Sequence, residues 1–198
     1  ADATMRRLQE TEGLVNKNHG PIDIKNGVAI SVDLSRNTEN NLVGYKAKQH
    51  TSLIDVDKIA ACQINDYWDP VYKSPSKNNG LILNPDEFYI LMSKEYVTVP
   101  LDYAAEMRAY DTKVGEFRVH YAGFFDPGFG HAESEGQGTR AVLEVRSHDV
   151  PFLIEDGQTV CRLIYEQMTQ IPEKIYGAGG VGSNYQGQSL KLSKHFQS

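Results

Sequence analysis

The stretch LILNPDEFYILMSKEYVTVPLDYAAEMRAY, residues 81–110, decides the fold. Apolar runs at 81–83, 87–93, 96–99 and 104–108 are separated by Asn-Pro-Asp, Lys-Glu and Pro-Leu-Asp. Each run has strand length and is bounded by turn residues, so the stretch predicts successive strands rather than helices. The pattern continues outward. Upstream, VAISVDL (28–34) alternates Val28, Ile30, Val32 and Leu34 with small or polar residues, and strand-like runs follow at 44–48 and 52–56. Downstream, similar runs occupy 116–121, 140–145, 151–154 and 159–166. One short helix is predicted, in ATMRRLQETEGL (3–14). Many short strands with closely spaced turns predict a sandwich, jelly roll or barrel. Residues 66–80 (DYWDPVYKSPSKNNG) read as a long polar loop, 126–138 as a Gly-rich segment without strand, and 177–189 as a Gly-rich tail.

The 198 residues suffice for one large domain with a real core, and 40% hydrophobic with 23% charged residues is ordinary for a globular chain. A net charge of −6 argues against a nucleic-acid polymer as partner, although a few placed cations suffice for one nucleotide. No apolar run approaches the ~18 residues that would span a bilayer as a helix, so no membrane partner is expected. Cys62 and Cys161 are far apart and form no disulfide framework. A reducing compartment fits them, which gives a cytoplasmic expectation. The sequence starts Ala1-Asp2-Ala3 without Met, as a processed product or a fragment would.

Three pieces occur in order: VHYAGFFDPGFG (119–130), TRAVLEV (139–145) and SNYQGQ (183–188), the last preceded by QTVCRLIYEQM (158–168). As a set they resemble the dCTP deaminases, which share a β fold with the trimeric dUTPases. The likeness in these motifs spans roughly residues 27–190. The resemblance implies an all-β, dUTPase-like distorted jelly roll or β-clip barrel with a short N-terminal helix and a C-terminal arm. Residues 1–26 would be helix and linker, 27–170 the β domain, and 171–198 an arm closing over a nucleotide site. Asp126-Pro127-Gly128-Phe129 matches the family's Asp-Pro-Gly-aromatic turn, and Glu144 matches its catalytic carboxylate. Tyr185 and Gln188 match the Lys-Tyr-x-x-Gln arm, with Asn184 where Lys is usual, and Tyr176 lies where the family has another arm tyrosine. The backbone of Ala122 would face the attacked ring. By itself, Asp-Pro-Gly is also an ordinary turn sequence, with Asp capping amides and Gly at positive φ.

One loop departs from the family. Where Arg-Ser-Ser-x-x-Arg is usual, this chain has Arg108-Ala109-Tyr110-Asp111-Thr112-Lys113. Arg108 and Lys113 can bind phosphate oxygens, but the two serines are absent. A basic residue commonly precedes the family's turn, and here Phe124-Phe125 stands in its place. The resemblance implies a homotrimer with sites between subunits. It also admits a pseudo-trimer in which this chain is the C-terminal copy of a duplicated-domain member.

The chemistry narrows the residues further. Hydrolytic deamination adds water at C4 of cytosine, so a base or a metal must activate the water. Zinc nucleobase deaminases carry H-x-E and P-C-x-x-C, and this sequence has no C-x-x-C. No zinc is therefore expected. In residues 140–146 strand alternation puts Ala141, Leu143 and Val145 on one face and Arg140, Val142, Glu144 and Arg146 on the other. Glu144 is either the general base or a surface carboxylate paired with Arg140 or Arg146. Magnesium is expected only with the triphosphate, held mainly by phosphates and water. The leading expectation is deamination of dCTP to dUTP and ammonia. The alternatives are a dUTP hydrolase or bifunctional deaminase/diphosphatase, and a non-catalytic half that binds nucleotide or completes an assembly.

Overall fold

The computed structural model describes residues 2–16, 21–35, 40–74, 80–109, 117–119, 123–131, 138–147, 149–177 and 190–197. Helix α1 (Asp2–Thr11) precedes strands β1 (Val28–Ser31) and β2 (Leu42–Ala47). The four-residue helix α2 (Ile64–Tyr67) leads into β3 (Trp68–Tyr72), followed by β4 (Leu81–Leu83), β5 (Phe88–Val97) and β6 (Tyr103–Ala109). Then come β7 (Phe117–Val119), β8 (Phe124–Phe125), β9 (Thr139–Ser147), β10 (Phe152–Ile154) and β11 (Thr159–Gln167). The all-β expectation holds.

Two sheets enclose the core: one of four strands in the order β1-β11-β6-β8, and one of five in the order β3-β2-β5-β9-β7. Strands β10 and β4 form a separate antiparallel pair. The core is built by alternation. Val28 and Ile30 of β1, Cys161 and Leu163 of β11, Leu91 of β5, and Leu143 of β9 all reach into it and are fully buried. Met5 and Leu8 of α1 join the same core, as do Leu14 and Val15. Val15 bridges Val97, and Leu14 accepts a hydrogen bond from the Thr98 amide at 2.9 Å, so the N-terminal segment is stitched to the end of β5.

The strand expectations at 87–93 and 96–99 merge into the one strand β5. Its ladder to β9 shifts register between Met92 and Tyr96, which is where Lys94-Glu95 breaks the apolar run. Ser93, fully buried, repairs that irregularity: its Oγ accepts from the Ala141 amide and donates to the Glu95 carbonyl, both at 2.8 Å.

Two readings of the sequence are corrected. Residues 52–56 form no strand; they lie in an exposed loop with Leu53 97% accessible. Residues 66–80 are not one long loop, because α2 and β3 occupy 64–72. Strand β3 pairs antiparallel with β2, Ala47 opposite Trp68 and Tyr45 opposite Pro70. It is the edge of its sheet, where Pro70 can be accommodated despite having no N–H to donate. Likewise Phe124–Phe125 is a two-residue strand against Ala105 and Glu106 of β6.

Candidate functional site

Strand β9 divides two environments. Ala141, Leu143 and Val145 are fully buried in the core, while Arg140, Val142 and Glu144 are half-buried on the outer face, as alternation requires. That outer face is itself covered. Ile90, opposite Glu144 in the ladder, belongs to a second apolar cluster with Cys62, Leu192 and Phe196. The buried pattern of β5 follows from this, since Tyr89 and Leu91 face the core while Ile90 faces the outer cluster.

The cover is a clamp between residues 60–62 and 194–197. The Ala60 amide donates to Lys194 O at 3.0 Å, Cys62 N to His195 O at 2.9 Å, and Gln197 N to Cys62 O at 3.0 Å. The Phe196 ring meets Tyr67 and Trp68 edge-on, with centroids 5.6 and 6.0 Å away, and Trp68 packs on Phe88 at 6.1 Å. Between the clamp, the outer face of β9 and the turn after β8 lies a cavity of about 470 Å³. Glu144, Asp126, Arg140, Tyr176 and Lys191 are among the residues lining it.

The arginines near Glu144 on β9 are engaged elsewhere. Arg140 forms an ion pair with the buried Asp33 of the segment after β1, and its guanidinium lies over the Tyr96 ring, 4.9 Å from the centre. The Arg146 guanidinium lies over Phe88 at 5.6 Å. No described residue forms an ion pair or hydrogen bond with the Glu144 carboxylate. The simple alternative weighed from the sequence, Glu144 paired with Arg140 or Arg146, is not the arrangement found.

The Asp-Pro-Gly-Phe segment is a tight turn, with the Phe129 amide donating to Asp126 O at 3.1 Å. It is tied to the end of β5 by Gly128 N to Val99 O at 3.1 Å and Val99 N to Phe129 O at 2.8 Å. Gly128 has φ +95°, and a Cβ there would stand 2.3 Å from Ile175 Cγ2, so both conformation and space require glycine. Tyr176 docks on this turn: its amide donates to Pro127 O at 3.2 Å and its ring lies 6.0 Å from that of Phe129.

The structure therefore brings Glu144, Asp126 and Tyr176 to one cavity. It does not bring Arg108 there. Arg108 lies on the exposed side of β6, bound to Glu106 at 3.0 Å and near Glu166 at 3.7 Å, while its neighbour Met107 lines the cavity. Lys113, Ala122, Tyr185 and Gln188 lie outside the described residues. The sequence reading missed Trp68 and Phe196 as parts of the site, and gave Lys191 and Lys194 no role beyond the charge that tail lysines could add. A signal was present in Leu190-Lys191-Leu192-Ser193, whose alternation is strand-like despite the preceding Gly-rich tail.

Among the described residues no group of three or more His, Cys, Asp or Glu side chains is gathered as a metal would need. No helix among them is long and apolar enough to cross a membrane.

Comparison with known proteins places these features in context. The model of the family described as 2'-deoxycytidine 5'-triphosphate deaminase (DCD), C-terminal domain, matches residues 1–196. The match thus includes the first 26 residues, which the motif comparison left outside. A protein of Methanobrevibacter smithii named "dCTP deaminase, dUMP-forming" is 33% identical over 114 residues, covering 57% of this chain and 55% of its own length. One of the same name from Mycobacterium ulcerans is 31% identical over 116 residues, covering 58% and 57%. The crystal structure of 2'-deoxycytidine 5'-triphosphate deaminase from Agrobacterium tumefaciens superposes with a TM-score of 0.76 at 54% identity, covering 84% of this chain and 49% of that one. The match spans about half the length of each of these relatives.

Proposed function

The chain belongs to the 2'-deoxycytidine 5'-triphosphate deaminase family, and from that premise we propose that its cavity takes dCTP and deaminates the cytosine ring, with Glu144 as general base. The observation that carries the reading is the state of Glu144: a half-buried carboxylate on a cavity wall, with Arg140 held by Asp33 and Arg146 stacked on Phe88. No described residue occupies its oxygens, which leaves them to a water and the cytosine ring.

In the proposed reaction Glu144 takes a proton from water as the oxygen attacks C4. The tetrahedral adduct collapses, the C4–N bond breaks, and the amine leaves as ammonia after receiving a proton through the same carboxyl group. One water is consumed, and dUTP is the immediate product. The Asp126 turn, held by its bonds to Val99, supplies a rigid wall for pyrimidine and sugar, and Tyr176 closes its side. Ala122 is assigned a backbone contact to the ring, and Tyr185 and Gln188 an arm contact that excludes water. Magnesium enters with the triphosphate as part of the substrate.

A second reading has specific support. The relatives' printed name is "dUMP-forming". It favours the bifunctional alternative, in which a further water displaces diphosphate from dUTP to leave dUMP. Arg108, turned away from this chain's cavity, fits a role with Lys113 on the phosphates of a neighbouring copy's site, in a trimer or pseudo-trimer. In that arrangement the chain is one half of a duplicated polypeptide, a reading supported by its likeness to 49% of the Agrobacterium chain.

The test incubates the natural full-length polypeptide with dCTP and Mg²⁺, follows ammonia, and separates the nucleotides. Ammonia with dUTP supports deamination alone; ammonia with dUMP supports the bifunctional reading. Nucleotide bound without ammonia leaves the non-catalytic alternative.

A further inference from the structure

We infer that Lys191 is a cationic contact that this chain itself offers, among its described residues, to the nucleotide's polyphosphate in this cavity, an assignment that rests on the dCTP reading above. The argument is a charge inventory. A triphosphate brings several negative charges to a cavity already lined by Asp126 and Glu144. Positive charge must meet it, and beside whatever a neighbouring copy brings, this chain's own described side chains can supply it. Arg108 lies off the cavity, bound to Glu106. Arg140 lines it but is committed to the buried Asp33 and to the face of Tyr96. Lys191 lines the cavity, and no described carboxylate neutralises it.

The backbone explains why this lysine is held in place. Leu190 and Leu192 alternate with it and pack into the outer apolar cluster. The three backbone hydrogen bonds of the clamp and the buried Phe196 ring fix the segment immediately beyond it. A lysine on a free tail would lose most of its binding energy in ordering, and here that ordering is supplied by the fold. Lys194 serves as an internal control: it is in the same segment and has the same charge, but it does not line the cavity.

The experiment measures equilibrium binding of dCTP with Mg²⁺, and of deoxycytidine, to the natural full-length polypeptide and its Lys191→Ala, Lys191→Arg and Lys194→Ala variants. Lys191→Ala is expected to weaken dCTP about ten- to a hundredfold, the worth of one hydrogen bond to a charged group. It should leave deoxycytidine binding unchanged. Lys191→Arg should recover most of the affinity, and Lys194→Ala should bind as the parent. The inference is overturned if Lys191→Ala binds dCTP as well as the parent, if dCTP and deoxycytidine lose equally, or if Lys194→Ala loses as much. Ammonia is scored in parallel. Lys191-dependent dCTP binding without ammonia counts against deamination and for the assignment, whereas a parent protein that binds neither compound overturns both.

Discussion

The two faces of β9 are adjacent in sequence and opposite in physical character. Toward the core, Ala141, Leu143 and Val145 are sealed in a cluster that draws on both main sheets and α1. Toward the outside, Arg140, Val142 and Glu144 meet a smaller cluster whose buried members, among the described residues, are Ile90 of β5 with Cys62, Leu192 and Phe196 of the cover. The inner face gives the fold its stability. The outer face offers a cavity, an ion pair and a carboxylate without a described partner. A single strand therefore seats the active-site candidate against the main core, while the cover over it is the smaller cluster.

The contrast can be broken from the inside first. Leu143→Ala empties a fully buried site and is expected to lower stability by about 2–5 kcal/mol in urea unfolding. A loss below about 1 kcal/mol would show that the inner face is not the stronger one.

Next comes the turn that faces the cavity. Gly128→Ala forces a Cβ against Ile175 at φ +95° and is expected to cost about 1–3 kcal/mol, with Tyr176 displaced from the turn. Unchanged urea midpoint and unchanged Tyr176 environment by NMR would contradict the packing described.

The outer cover should fail locally. Phe196→Ala removes the ring between Tyr67 and Trp68. The amides of Ala60, Cys62 and Gln197, which form the clamp, should then exchange with solvent faster, while those of Leu143 and Leu91 keep their protection. Equal acceleration at both sets would merge the two faces into one cooperative unit.

The smallest effect is that of pH. Burial opposes ionisation of Glu87, but hydrogen bonds from Tyr89, Asn84 and Lys46 hold its carboxyl below the usual 4.5. Burial likewise opposes ionisation of Asp156, and Lys94 and the Leu34 amide hold it below 3.8. Both groups bind a proton less readily folded than unfolded. Their stabilisation is therefore complete above the ordinary carboxylate values and is lost as pH falls through the depressed ones. Urea midpoints should hold from pH 7 to about 5 and drop below about 4, and Asp156→Asn should flatten part of that drop. On the alkaline side, burial followed by the Glu87 hydrogen bond pushes Tyr89 up to about 12, so it adds no titration near neutrality.

Much of the inner face was legible in the sequence because alternation is a local signal: residues 140–146 declare which side chains share a face. Other features depended on distant chain. Arg140 meets an aspartate 107 residues away, and the clamp joins residues 60–62 to 194–197. Strand β3 was hidden because Pro70 reads as a loop residue, and only its position at the sheet edge makes it compatible with pairing. The docked position of Lys191 was hidden by the glycines before it, although Leu190 and Leu192 already carried the alternation that seats it. For the candidate site, the motif resemblance named Glu144, Asp126 and Tyr176, which the structure gathers at one cavity, and Arg108, which it leaves outside.

The most direct test of the central claim is the rate of ammonia release from dCTP by Glu144→Gln in the natural full-length polypeptide, with dCTP affinity measured on the same preparation. The substitution keeps size and removes the base. The account predicts a rate lower by about a hundredfold to ten-thousandfold with dCTP affinity retained. Ammonia release at the parent rate would contradict it.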